Sequence, residues 1–304
     1  MSYYFTFNFP KNLNPCSVND LLRQLLIPRK WRHFLRVERK VQINGKYYHF
    51  NQNVKPNDKV ELWLNHVESK QHNYPASGKN PEVIYEDDSL LIINKPAGQK
   101  THPNLMETDT ALNDCATYLG FSPFIVHRLD MLTSGLLLVA KNPAVVPILN
   151  RELTAKIFHR EYLAVINVNK PIANRGTIEL PIGQDPLDQR KRKITSNGLQ
   201  SITHYQILRY LDNNTALIKL NLETGRTHQI RVHLAAIGYP IVGDPLYNSN
   251  CEKEQFLHLT AYQISLQRPF TLDKLKVKLP DEDIPLLQNK KDRLPNDNVN
   301  PKLS

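Results

Sequence analysis

The sequence has no apolar run long enough to cross a bilayer; the longest, around Leu136–Ala140, is strand-sized. Its first residues, MSYYFTFNFP, show no basic segment followed by an apolar stretch and a small-residue cleavage site. No signal peptide is therefore expected, and the cytoplasm is the default location. Cysteine is scarce. Cys16, Cys115 and Cys251 are scattered and form no CxxC pair, which argues against a disulfide framework and fits a reducing compartment. Their expected role is that of small apolar residues. The histidines show no HExxH or comparable ligand spacing, so no metal site is expected. Internal repeats and low-complexity tracts are also missing.

What is present is room for a large core: 304 residues, 40% of them hydrophobic and 22% charged. The net charge is +10, which favours polyanionic partners through steering and counterion release. The basic residues cluster. One group is Arg29, Lys30, Arg32, Arg36, Arg39 and Lys40, and another is Arg190, Lys191, Arg192 and Lys193. Each alone is equally compatible with a solvated charged face.

Four segments are expected. Residues 1–66 make a small first domain. Ser17 or Asn19 caps a helix through Leu21, Leu22, Leu25 and Leu26, ended by Pro28. A basic helix from about Lys30 to Arg36 follows. Then come Val41–Ile43, an Asn44-Gly45 turn, Lys46–Tyr48 and a strand closing at Leu64. Residues 67–80 are polar, contain Pro75 and Gly78, and read as a flexible linker. Residues 81–280 read as a mixed fold rich in antiparallel strands. Residues 281–304 are polar, with few aromatics, and read as a disordered tail.

Within 81–280, Val83–Tyr85 and Leu90–Ile93 form a hairpin, and Thr110–Leu119 and Pro143–Ala155 are helical. Glu161–Ile166, Thr203–Leu208 and Leu217–Leu222 have strand composition. A helix capped by Thr227 runs to Ile237 and is stopped by Gly238 and Pro240. The strand-like runs Phe124–Val126 and Leu136–Val139 bracket HRLDMLTSG, residues 127–135. So many polar groups between apolar strands are costly to bury unless paired or used. An active site and a buried polar network both satisfy that requirement.

The segment HRLDMLTSG resembles the signature loop of the RluA-type pseudouridine synthases. Four further stretches agree in order: INKPAG (93–98), REYLAVI (160–166), ITHYQIL (202–208) and ETGRTHQIRVHLAAIGYPIVGDPLY (223–247). Together they cover about residues 81–266. The order of helices and hairpin in 14–64 resembles the small RNA-binding domain first described in a ribosomal small-subunit protein. The resemblance implies an α+β catalytic domain with a central, mainly antiparallel sheet, preceded by a small N-terminal α/β RNA-binding domain. Two local departures are visible, in QKTHPNLMETDTAL after KPAG and in Ser201, where a small apolar residue is usual.

By the same resemblance, Asp130 is the catalytic aspartate, Tyr162 stacks on the target base and Arg231 pairs with the aspartate. Arg128 enters the RNA stack when the base leaves it. Arg29, Arg32, Arg36 and Lys46 face RNA in the first domain. Weaker candidates rest on position alone: Lys95 reaches phosphate or belongs to a turn set by Pro96 and Gly98, Arg226 lies at a helix N-terminus where a phosphate fits, and His127 makes a structural or RNA hydrogen bond. The chemistry wants these types. The N1–C1′ bond breaks, uracil turns, and C5 bonds to C1′. One ionised carboxylate suffices, either attacking C1′ or removing the 2′ proton. An arginine keeps such a carboxylate charged where water is excluded. Tyrosine offers a flat face and a polar tip, and the target base must leave its stack. No cofactor is expected, because the isomerisation is redox-neutral. The expected partner is structured RNA, ribosomal ahead of transfer, with the protein acting as a monomer. Two rivals stand beside this reading: a catalytically silent RNA-binding protein on the same scaffold, and a metal-dependent nuclease, which would want clustered carboxylates.

Overall fold

The computed structural model describes residues 2–104, 107–211, 214–251 and 256–287. The chain opens with a strand that sequence reading did not anticipate, β1 (Tyr3–Asn8). Its odd residues turn inward and its even ones outward, the period-two alternation of a half-buried strand. After β2 (Cys16–Ser17) comes α1 (Val18–Gln24), where the Ser17 hydroxyl accepts a hydrogen bond from the Asp20 amide at 3.1 Å. The capping residue is thus one of the two expected. Helix α2 (Arg29–Val37) buries Trp31 and Leu35. Strands β3 (Val41–Ile43) and β4 (Lys46–Tyr47) flank Asn44 and Gly45, both at positive φ, as a tight hairpin turn requires. Strands β5 (Asn53–Val54) and β6 (Lys59–Leu64) complete the domain. The sheet order is β1-β6-β3-β4, with β2 paired to β5. Leu21, Leu22, Leu35, Val41, Val60 and Leu62 form its core. Each such side chain contributes about 1.5–3 kcal/mol by leaving water.

Residues 65–80 contain no helix or strand, as expected of a connector. They are nevertheless tied down by hydrogen bonds. The Gln71 side chain bonds the Pro123 carbonyl at 2.7 Å and accepts from the Ile125 amide at 2.8 Å. Ser77 donates to Asp114 at 2.6 Å, and the amides of Ser77 and Gly78 donate to the Thr117 hydroxyl. Polar composition suggested flexibility, but here the polar atoms serve as anchors.

The remaining elements are β7 (Glu82–Glu86), β8 (Leu90–Lys95), α3 (Ala111–Leu119), β9 (Phe124–Ile125), β10 (Ser134–Ala140), α4 (Val145–Thr154), β11 (His159–Asn167) and β12 (Arg175–Glu179). They continue with β13 (Ile182–Gln184), β14 (Arg192–Ile194), β15 (Ile202–Leu211), β16 (Thr215–Leu222), α5 (Gln229–Ala236), β17 (Leu259–Gln267) and β18 (Lys274–Lys278). The central ten-stranded sheet has the order β12-β15-β16-β11-β17-β10-β8-β7, with β9 on β10 and β18 on β17. Strands β7 with β8, β9 with β10, β11 with β16, β12 with β15 and β15 with β16 pair antiparallel, whereas β10 and β17 pair parallel, with Ser134 and Gly135 opposite Thr260 and Ala261. A Cβ on Gly135 would meet the Ala261 carbonyl oxygen at 2.2 Å, so only glycine fits there. The mixed α+β class is as expected.

The chain divides into two compact units. One comprises the residues up to Met131, Leu136–Arg160 and Ile264–Val277; the other comprises Leu132–Gly135, Glu161–Gln263 and Lys278 onward. The first residues of the expected tail are folded. Residues 281–287 form two short 3-10 turns that bury Ile284 and Leu287, and 288–304 lie outside the described residues. Among the described residues, no helix is long and apolar enough to cross a membrane.

Candidate active site

In the first unit, β9 and β10 pair antiparallel, Ile125 opposite Val139, so the residues between them leave as a loop from one end of the ladder. Burial alternates along it. His127 and Leu129 are buried, Arg128 and Met131 are exposed, and Asp130 is half-buried.

The main chain on both sides of Asp130 is held. The Thr101 hydroxyl accepts from the Leu129 amide at 3.1 Å and donates to the Leu129 carbonyl at 2.8 Å. A hydroxyl does both at once because it carries one donor and two lone pairs. The Met131 carbonyl accepts from the Gly98 amide at 2.8 Å and from Lys95 Nζ at 3.2 Å. Lys95 Nζ also donates to the carbonyls of Pro96 and Gln99, both at 2.8 Å. Burial pulls the Lys95 pKa down to about 7, opposed by the charge of Asp130. Three acceptors need three N–H donors, which only the ammonium form has, so the geometry calls for a charged lysine. The INKPAG segment is therefore the seat of the Asp130 loop.

This geometry corrects one expectation. Lys95 has no exposed surface and three engaged donors, which leaves it no phosphate contact. His127 is likewise an inner residue. Its Nε2 accepts from the Leu138 amide at 3.0 Å, and its ring meets Phe158 edge-on. Burial, with Arg160 nearby, holds its pKa down to about 3, so the ring is neutral and joins the loop to β10. Arg128 is exposed.

In the same unit, α2 presents Arg29 and Arg36 to solvent, with Arg32 half-buried between them. Their spacing places all three on one helical face. Arg32 Nη1 donates to Asn19 at 3.4 Å. Its pKa is lowered by burial and then by the charges of Arg23, Arg151 and Arg29. Lys46 is exposed at the β3–β4 turn.

In the second unit, Tyr162 lies on β11 opposite Leu220 and is almost fully buried. Arg231 lies on α5, buried, and makes a bidentate pair with a residue that sequence reading did not single out. Its Nε donates to Asp244 Oδ2 at 2.8 Å and its Nη2 to Asp244 Oδ1 at 2.7 Å. Asp244 is itself fully buried, and its Oδ1 also accepts from the amides of Leu246 and Tyr247. The preceding Gly243 has φ +73, and a Cβ there would meet the Phe256 carbonyl oxygen at 1.8 Å. The turn that delivers Asp244 thus demands glycine. The guanidinium carbon of Arg231 sits 5.1 Å from the Tyr247 ring centroid.

The start of α5 differs from expectation. The residue before the helix is His228, in the left-handed region at φ 58, rather than Thr227. The Gln229 side-chain oxygen accepts from the Arg226 amide at 3.0 Å and from Thr224 at 2.8 Å, which fixes the turn ahead of the helix. Arg226 Nε reaches the Gln200 carbonyl at 3.5 Å. His233 is buried between the Thr203 hydroxyl and the Leu180 carbonyl, as a structural histidine. Ser201, polar where a small apolar residue is usual, is satisfied by donating to the Leu199 carbonyl at 2.9 Å.

Fold and loop together define a pseudouridine synthase, and comparison with known proteins agrees. A family model described as RNA pseudouridylate synthase matches residues 89–236, and one described as the RluD ribosomal pseudouridine synthase N-terminal domain matches residues 5–60. The ribosomal large subunit pseudouridine synthase D of Nitrosomonas europaea is 35% identical over 301 residues, covering 92% of this chain and 86% of that protein. An uncharacterized RNA pseudouridine synthase of Bacillus subtilis is 34% identical over 261 residues, covering 82% and 85%. Among solved structures, the human RNA pseudouridylate synthase domain containing 1 protein has a TM-score of 0.57 at 27% identity, covering 70% of this chain and 88% of that one. The chain belongs to the RluA-type RNA pseudouridine synthases and is an isomerase acting on uridine in RNA.

Proposed function

We propose that this enzyme converts uridines of ribosomal RNA, those of the large subunit first, to pseudouridine, with Asp130 as its catalytic carboxylate. It acts as a monomer in the cytoplasm. The observation carrying the target is the match to a ribosomal large-subunit synthase across both domains, the RNA-binding one included. Asp130 is favoured by its motif and by the clamped main chain at Leu129 and Met131, which fixes where the carboxylate stands. Pre-set placement of one reacting group removes orientational entropy from the barrier. Tyr162 supplies the face for uracil, Arg231 the balancing charge, and Arg128 fills the space left in the RNA stack. Arg29, Arg32, Arg36 and Lys46 grip the RNA backbone. Asp130 either attacks C1′ or removes the 2′ proton; both routes use the same ionised oxygen.

Tritium release from RNA labelled at uridine C5 tests this reading, with ribosomal and transfer RNA as separate pools. Wild type is expected to release label from ribosomal RNA, and Asp130→Ala to lose at least about a thousandfold in rate, the scale for removing a nucleophile or base. Release from transfer RNA alone would move the target. Equal release by Asp130→Ala would remove Asp130 from the chemistry.

A further inference from the structure

The basic run Arg190–Lys193 is not used by the reading above. It lies at the tip of the β13–β14 hairpin, where Gln184 stands opposite Arg192 and Gly183 opposite Lys193. Its two arginines make contacts within the turn, although the Arg190 side chain is 76% exposed. Arg190 makes a two-point pair with Asp188 at 3.0 and 2.8 Å, and Arg192 Nη1 donates to the carbonyls of Gln189 and Lys191. These contacts stiffen the turn. Asp188 neutralises the exposed Arg190, and the two lysines of the run are Lys191, half-buried, and Lys193, exposed. Lysine is a compact point charge suited to phosphate.

One side chain ties this hairpin to α5. The Tyr247 hydroxyl accepts from the Arg192 amide at 2.8 Å and shares a hydrogen bond of 2.8 Å with His228 Nδ1. The Tyr247 ring meets His228 edge-on and stands 5.1 Å from the Arg231 guanidinium carbon. Its amide donates to Asp244, the same carboxylate that grips Arg231. His228 reaches Tyr247 from a left-handed backbone conformation that a non-glycine residue adopts at a cost. Tyr247, Lys191, Asn248 and Ser249 line one recess. One tyrosine therefore contacts the arginine, the arginine's anchor and the loop end of strand β14.

We propose that the hairpin of residues 182–194 is an RNA-phosphate clamp working through Lys191 and Lys193, and that the Tyr247 hydroxyl is the positioning group that registers this clamp against Arg231. The inference rests on the pseudouridine synthase reading. RNA held by the two lysines is placed relative to α5 only as firmly as the hairpin is. Without the hydroxyl, the Arg192 amide loses its tether while the ring, its contact with Arg231 and the fold persist.

The test compares Tyr247→Phe, the pair Lys191→Ala with Lys193→Ala, and the triple variant, by tritium release and RNA binding across salt concentrations. Tyr247→Phe is expected to raise the KM for RNA roughly three- to tenfold, the scale of one hydrogen bond, with kcat within about twofold. The lysine pair should raise KM and flatten the salt dependence of binding by about two charges' worth. The triple variant should be no worse than the lysine pair, because the hydroxyl acts through the hairpin. Multiplied effects, or a fall in kcat at unchanged KM, would overturn the proposal; a lower melting temperature with unchanged KM would reduce Tyr247 to packing. His228→Ala, which removes the hydroxyl's other partner, should shift KM in the same direction and guards against a misfolded Tyr247→Phe. Wild type releasing no label from any RNA would fail the pseudouridine reading itself, while the binding arm would still decide the clamp.

Discussion

The basic residues of this protein fall into two regions that treat the same charge in opposite ways. On α2 the arginines are spread along one face, and Arg32 sits near Arg23, Arg29 and Arg151 with a pKa lowered by burial and by those like charges. Within the two compact units, Lys95 in the first has three carbonyls and Arg231 in the second a bidentate carboxylate, both with almost no exposure. Crowded guanidinium groups repel, and a polyanion relieves that repulsion, so the first arrangement is built for an outside partner. Buried cations held by several acceptors already have counterparts within the protein, so the second arrangement serves the protein's own structure and site. Net charge alone does not separate the two uses; partners and burial do.

The sharpest way to break this comparison is to take away a buried partner. Asp244→Ala takes from the buried Arg231 guanidinium the acceptor of its Nε and Nη2 and strips an acceptor from two amides. Removing one member of a buried pair costs about 3–5 kcal/mol. Urea unfolding is expected to show a loss of that size, with activity falling alongside. A loss under about 1 kcal/mol would mean that Arg231 is not held as argued.

That anchor also marks where the sequence stopped being informative. The Asp130 loop was legible because charged and hydroxyl residues crowd between two apolar runs, and a family motif covers it. The cap at Ser17, the Asn44-Gly45 turn and the helices near Thr110 and Pro143 were legible from local chemistry. Asp244 was not. It lies 13 residues after Arg231, beyond any helical spacing, and its partner is set by the glycine turn at 243. Strand β1 carried a visible alternation, Tyr3, Phe5 and Phe7 inward, but its outward face includes Tyr4 and blurs the pattern. The left-handed start of α5 at His228 has no sequence signature at all, and Thr227 drew the capping assignment instead. Composition placed the beginning of the tail at 281, before the buried Ile284 and Leu287.

Glu152 sharpens the comparison from the other side, as a buried ionisable group with too few partners. Its Oε2 accepts from the Gln267 amide at 3.2 Å, while Oε1 has no hydrogen-bond partner. Burial pushes its pKa up to about 8. The folded state therefore holds a proton that the unfolded chain gives up above its ordinary carboxyl range. This contribution is fully present below about pH 4.5, falls as pH rises, and is gone above about pH 8. Glu152→Gln is expected to match wild type near pH 5 and to exceed it at pH 8–9, by on the order of a few kcal/mol. Parallel stability curves across that range would show that Glu152 is charged in the fold, and burial alone would then not set its state.

The smallest effect on stability belongs to the exposed arginines, and for them a small effect is the informative one. Arg29 and Arg36 are exposed, and among the described residues no hydrogen bond or ion pair joins either side chain to another group. Replacing both with alanine should leave unfolding free energy within about 0.5 kcal/mol, the usual range for such surface positions. Affinity for ribosomal RNA should nevertheless fall by roughly tenfold at physiological salt, and the slope of log affinity against log salt should drop by about 1.4–1.8, from two lost phosphate contacts. The fall in affinity should shrink as salt rises, because the lost term is counterion release. A loss that stayed constant with salt would mean that these residues shape the domain rather than attract the nucleic acid. The two regions would then not differ in the way their surroundings indicate.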